Sequence, residues 1–307
     1  MPEILLHQYD SSPFSEKVRI CLGIKDLAWS AVDQPVIMPK PDLLALTGGY
    51  RRIPVMQIGA DIYCDSQLIV RELERRFPEP TLFPGKDPGL AHALALWTDR
   101  TLFQAAVAII FGGLGGKVPD AFVKDREELS GRPFDVAAMR AAAPHAAAQL
   151  RAHVALLCDQ LSDGRTFLSG ERPGLVDANA YYNLWFIQSA FPPGSSSFKD
   201  APGIADWMEA VAGIGHGARS ALGSEAAIAI ASQATPAPAE IAPADAELAG
   251  GRVTIAADDY GRDPIRGVLV GSSDHHVAIR REDERAGEVV VHFPRIGFVV
   301  QSERARP

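Results

Sequence analysis

An apolar run from Ile4 to Leu6, trailed by His7-Gln8, precedes a segment whose apolar residues Val18, Ile20, Cys21, Leu22 and Ile24 recur at helical spacing. The pattern predicts a strand and then a helix, with Ser12 at its N-cap and Pro13 in its first turn, where a missing N–H costs nothing. Trp29 to Gln34 reads as a second strand and Pro41 to Leu46 as a short helix ended by Gly48-Gly49. Val55 to Ile58 and Asp61 to Tyr63 are β-prone runs joined by a glycine-containing turn and opened by Pro54. Ser66 stands where the cap of the next helix belongs, ahead of Leu68, Ile69, Leu73 and Phe77.

Prolines at 78, 80 and 84 end this region, and the period turns helical. Gly89 to Phe111, Phe134 to Leu161 and Ala178 to Phe191 are the long segments, and Pro144 either splits the second or opens a new helix. The cluster Gly112-Gly113-Leu114-Gly115-Gly116-Lys117 follows a helix and lacks a Ser or Thr after the lysine, so it predicts a helix end or kink and not a phosphate loop. Residues 231–250 are rich in Ala and Pro and read as a linker. From Arg252 to Gln301 apolar and polar residues alternate in five short runs, which predicts a small all-β barrel.

With 307 residues, 47% of them hydrophobic, the chain can build more than one core. A net charge of −8 argues against nucleic acid and anionic membrane as main partners. No cationic leader precedes the first apolar run and no uninterrupted apolar stretch approaches about 18 residues, so a cytoplasmic protein is expected. Cys21, Cys64 and Cys158 are odd in number and embedded in apolar patterns, as packing residues are. Of His275, His276 and His292 at most two can converge, because neighbours on a strand face opposite ways, and no metal site is expected.

Candidate chemistry sits at two helix starts. Asp65 and Ser66 place a carboxylate, a hydroxyl and unpaired helix N–H groups within one turn, a set that can hold the ammonium and carboxylate of an α-amino acid. The Ser12 hydroxyl lies in the positive end of its helix dipole, where it can stabilise a thiolate. Both serines serve equally well as plain caps. Lys40, Arg51 and Arg52 are the nearby cations, with Arg52 first in rank for a ligand carboxylate.

Ile53-Pro54-Val55 followed by Asp65-Ser66 resembles the glutathione site of glutathione S-transferases. Ser12-Pro13-Phe14-Ser15 followed by Lys17-Val18-Arg19-Ile20 is similar to the serine-type, tau- and zeta-like members. The Cys-x-x-Cys of redox thioredoxins is missing at this turn, which argues against disulfide exchange. Phe167 to Asp177 resembles the family's helical-domain signature, with Gly174 where Ser or Thr is usual, so half of a capping box remains.

The resemblance implies a thioredoxin-like α/β domain over residues 1–84, an all-helical domain over 85–230, the linker, and an added SH3-like barrel over 251–307. It implies a cis Pro54 and a catalytic Ser12, with Ser11 in reserve. Glutathione contacts would come from Phe14, Arg52, Ile53, Pro54, Val55, Asp65 and Ser66. It further implies glutathione as co-substrate, an apolar electrophile, and a homodimer. Peroxidase, dehalogenase and isomerase forms of the same thiol chemistry stay open. So does a glutathione-binding or assembly module whose C-terminal β-unit recruits a partner.

Overall fold

The computed structural model describes residues 3–303. Strand β1 (Leu5–Gln8) leads into α1 (Pro13–Ile24), β2 (Ala28–Asp33) and α2 (Pro41–Thr47). The hairpin β3 (Val55–Ile58) and β4 (Asp61–Cys64) follows, and then α3 (Ser66–Arg76). β1 pairs parallel to β2 and antiparallel to β3. Successive strand residues go to opposite faces: Leu6, Met56 and Tyr63 join the core with α1 and α3, while Val55, Ile62 and Cys64 join a second core on the other face.

The helical region comprises α4 (Pro88–Trp97), α5 (Phe103–Leu114), α6 (Asp120–Ser130), α7 (Val136–Leu161), α8 (Leu175–Ala190) and α9 (Ile204–Gly213). Residues 98–102 form a π-turn between α4 and α5. The run Pro88–Lys117 is long and apolar enough to cross a bilayer by composition; here α5 packs on α7 and α8. Pro144 lies inside α7 without ending it, and the glycine cluster closes α5 in a short 3-10 turn. At α8 the half box forms as the sequence predicts. Asp177 accepts from the Gly174 N–H at 3.0 Å, the Leu168 N–H at 2.7 Å and Trp207 Nε1 at 2.9 Å. A Cβ at 174 would lie 2.6 Å from Ser169 Oγ and 2.9 Å from the Leu82 carbonyl oxygen, so close packing explains the missing serine.

The C-terminal part departs from a barrel. β5 (Ala218–Ala221) adds parallel to β2, and α10 (Ser224–Gln233) covers the second core. β6 (Arg252–Ala257), β7 (Ile265–Ser272), β8 (His276–Asp283), β9 (Gly287–Pro294) and β10 (Phe298–Ser302) fall where the alternation predicts strands. They do not close on themselves. β9 pairs with β8 on one side and, in parallel, with β4 on the other, giving one open ten-stranded sheet in the order β10-β6-β7-β8-β9-β4-β3-β1-β2-β5. With both edges of β9 used, it has none left to join β10, so the SH3-like barrel is replaced by an extension of the N-terminal sheet.

Candidate functional site

Helix α1 starts as its sequence predicts. Ser12 is the N-cap, 1% exposed; its Oγ accepts the Ser15 N–H at 3.2 Å, and its hydroxyl also hydrogen-bonds the Tyr9 side chain. Burial pushes the thiol of Cys21, further along the same helix, up to about 12, as suits a packing residue. At the second helix start the cap is Asp65 rather than Ser66, one residue earlier than predicted. Asp65 holds φ 73°, unusual for a residue with a side chain, and its Oδ1 accepts the Gln67 N–H at 2.9 Å. Such outliers persist where the surrounding structure over-determines them, often at functional sites. Burial raises the Asp65 carboxyl above the usual range; the Gln67 N–H and the Arg52 charge oppose that rise. The Ile53–Pro54 bond is cis.

Two cavities meet at Phe14, Arg52, Ile53 and Tyr260. The smaller, about 60 Å³, is lined by Pro54, Asp65, Ser66, Gln67, Asp99, Arg100 and Asp259. The larger, about 400 Å³, is lined by Ser11 and Ser12, by a wall of Phe103, Phe111, Phe122, Phe134 and Phe186, and by Lys40, Arg51 and Arg126 on its polar side. Lys40 lies with its Nζ 5.8 Å from the Tyr9 ring centre and is held down to about 8, chiefly by burial and then by the nearby Arg126 charge. The fold thus brings Phe14, Arg52, Ile53, Pro54, Asp65 and Ser66 around one small space and both serines around the adjoining apolar cleft. Val55 is the exception: it is fully buried in the second core and lines neither cavity.

Three residues that sequence reasoning missed also face the small cavity. Asp99, on the π-turn, accepts from Lys17 Nζ at 2.8 Å and from the Tyr182 hydroxyl at 3.0 Å. A π-turn often marks a functional position, and the polar run Thr98-Asp99-Arg100-Thr101 interrupting an apolar helix was a legible signal. Asp259 and Tyr260 come from the β6–β7 connection, where Asp259 pairs with the Arg52 guanidinium and the Tyr260 ring centre lies 3.8 Å from its Cζ. Nothing local in Asp258-Asp259-Tyr260-Gly261 distinguishes it from an ordinary solvated turn.

What the arrangement can do follows from its charges. Two carboxylates, Asp65 and Asp99, can take an ammonium, while Ser66, Arg52 and the start of α3 can take a carboxylate. The adjoining cleft offers aromatic surface for an apolar group beside a hydroxyl held at a helix start.

Comparison with known proteins bears on the same residues. Residues 6–81 match the model of the glutathione S-transferase N-terminal domain and residues 140–210 that of the glutathione S-transferase C-terminal domain. A GST-like protein from Pseudomonas syringae of known crystal structure is 39% identical and superposes with a TM-score of 0.81, covering 98% of this chain and all of that one. A tau class glutathione S-transferase from mango, Mangifera indica, shares the fold at 18% identity and a TM-score of 0.52, over 69% of this chain and 88% of its own. A probable glutathione S-transferase BZ2 from Zea mays is 28% identical over 54% of this chain, and one from Solanum tuberosum is 30% identical over 29% of it. The chain spans 66% and 40% of those two plant proteins.

Proposed function

Because this chain belongs to the glutathione S-transferase family, we propose that it binds glutathione at Asp65 and Ser66 and activates the thiol at Ser12 for attack on an apolar electrophile. The observation that carries the reading is the shared wall of Phe14, Arg52, Ile53 and Tyr260, which joins an amino-acid-like subsite to an aromatic cleft bearing both serines. Asp65, with Asp99, takes the glutathione ammonium, and Ser66 with the first N–H groups of α3 takes the adjacent carboxylate.

In this mechanism the Ser12 hydroxyl donates to the sulfur and favours thiolate over thiol. Its own proton stays in place, since a hydroxyl of ordinary acidity cannot remove a thiol proton at neutral pH. The thiol proton passes to solvent. The α1 dipole and the cations Lys40, Arg51 and Arg126 around the cleft add to the stabilisation of negative charge. The thiolate then forms the sulfur–carbon bond with the electrophile while the electrophile's leaving group departs with its electron pair. Ser11, exposed at the mouth of the same cleft, is the reserve donor.

The test is retention of the protein on immobilised glutathione together with turnover of an electrophilic aryl halide. Both are expected. Retention without turnover on any electrophile tried would favour a binding or assembly module, and no retention would remove the glutathione reading. The pairing into homodimers that the resemblance implies is read by sedimentation of the same preparation at micromolar concentration, where a monomer alone would refute it.

A further inference from the structure

The connection between β6 and β7, residues 258–264, is seven residues long, longer than most hairpin loops. It lies across the candidate site. Asp259 pairs with Arg52, which also lines the space at Asp65 and Ser66. The Gly261 N–H donates to the Leu129 carbonyl of α6 at 2.7 Å, and Asp258 faces Arg100 of the π-turn at 3.5 Å. The loop therefore ties the N-terminal sheet region to the helical region over the mouth of the subsite.

What remains beneath it is about 60 Å³, room for a few waters, whereas pockets that hold small-molecule ligands run to about 300–1,000 Å³. The amino-acid end of the tripeptide, the part that the proposed function places there, needs more room than that; the rest of the ligand belongs to the adjoining cleft. We infer that residues 258–264 are a strap that closes the site in the free protein, with the Asp259 carboxylate occupying the position on Arg52 that a ligand carboxylate takes. This rests on the glutathione reading given above.

The strap is built to be displaced. Asp259 engages the NH2 end of the guanidinium while Arg52 Nε is buried with no partner among the described residues, so the fork is half used, and a carboxylate that met both nitrogens would hold it more strongly. Asp259 keeps a third of its side chain exposed, and the Asp258–Arg100 pair is about half exposed at both ends. The Asp258–Arg100 pair, exposed at both ends, holds weakly. Gly261 sets the bend at φ +60°, and a Cβ there would lie 3.0 Å from Arg52 Nε and from the Leu129 side chain.

Calorimetric titration of glutathione into the full-length protein tests the strap with two variants, Asp259→Ala and Gly261→Ala. Both should bind glutathione roughly three- to ten-fold more tightly than wild type, a gain that misfolding cannot produce. Hydrogen exchange at the Gly261 amide should speed up in Asp259→Ala alone and in wild type on adding glutathione. Equal affinity in all three proteins, each weakened by Asp65→Asn, would overturn the strap and keep the glutathione reading. Weaker binding by Asp259→Ala would make Asp259 a ligand contact and overturn it as well. No binding by any protein would remove both.

Discussion

The Lys17 ammonium is fully buried and lies 2.8 Å from the Asp99 carboxylate, joining α1 to the π-turn of the helical region at the edge of the candidate site. The pair fixes where Asp99 points, since that carboxylate also receives the Tyr182 hydroxyl. Removing one member of a buried pair strands the other charge at a cost of about 3–5 kcal/mol. Lys17→Met should lose that much unfolding free energy in urea, and the double variant Lys17→Met with Asp99→Asn should recover part of it. Equal loss in the single and double variants would mean that the lost packing of Lys17, and not the stranded charge, sets the cost.

Asp65 combines a capping role with a binding role, and the two separate by substitution. Asparagine keeps an acceptor for the Gln67 N–H and tolerates positive φ, but lacks the charge that an ammonium seeks. Asp65→Asn should leave the melting temperature nearly unchanged and weaken glutathione binding by about ten-fold or more. An unchanged dissociation constant would move the ammonium site elsewhere.

Ser12→Ala should act on turnover rather than affinity, because the anchoring groups lie in the other cavity. Turnover should fall by about ten-fold or more, the scale of one lost charge-assisted hydrogen bond. The thiolate absorbance of bound glutathione, titrated against pH in wild type, Ser12→Ala and Ser11→Ala, reports the thiol pKa directly. The same pKa in all three would exclude both serines as activators.

The sequence pattern suggests that residues 251–307 stand alone as a β-unit, but Ile62 and Cys64 of β4 share one core with Ile279, Val289, Val291 and Phe293. The edge of β4 is occupied by β9, and His292 Nε2 lies 3.0 Å from Asp61 Oδ1 across that seam. Truncation after Gly250 would uncover this core and leave an unpaired strand edge. Insoluble or aggregated protein is expected; a soluble monodisperse fragment that melts cooperatively would show that the N-terminal region is self-sufficient.

His7 makes stability fall in acid. Its ring is 1% exposed between Gln57, 2.9 Å from Nε2, and Gln34, 3.3 Å from Nδ1, and burial pushes it down to about 4 despite the Gln57 hydrogen bond. Above about pH 6.5 the ring is neutral in folded and unfolded chains alike and costs nothing. Between about 6.5 and 4 the unfolded chain takes a proton that the folded one refuses, so stability is lost as pH falls, by about 2 kcal/mol at pH 5 for this ring. The gap between urea-derived stabilities at pH 7 and pH 5 should therefore narrow by about that amount in His7→Asn. An unchanged gap would assign the acid sensitivity to other groups.

Local chemistry was enough to reveal most of the elements. The Ser12-Pro13 start, the Pro54 turn, the Gly174–Asp177 half box and the alternation after Arg252 each depend on residues a few positions apart, and each appears where the sequence places it. The cap at Asp65 was missed by one residue, because Asp and Ser are equally good caps and only the positive φ separates them. Short elements with little periodicity, such as β5 and α6, were not legible: β5 is exposed along its length and forms by pairing with the distant β2, and α6 buries only Asp125 and Leu129.

Alternation in a strand states which residues share a face but not which strand lies alongside. Backbone hydrogen bonds carry no side-chain code, so nothing in Glu288 to His292 announces that β9 will pair with β4 instead of closing a barrel. The same limit hid the contact of Asp259 and Tyr260 with Arg52, more than 200 positions apart in the chain. The sequence alone determined the helix start at Ser12, the second one to within a residue, and the residue types at the site; the tertiary pairing of β9 with β4 determined that a loop from the last strands lies across them.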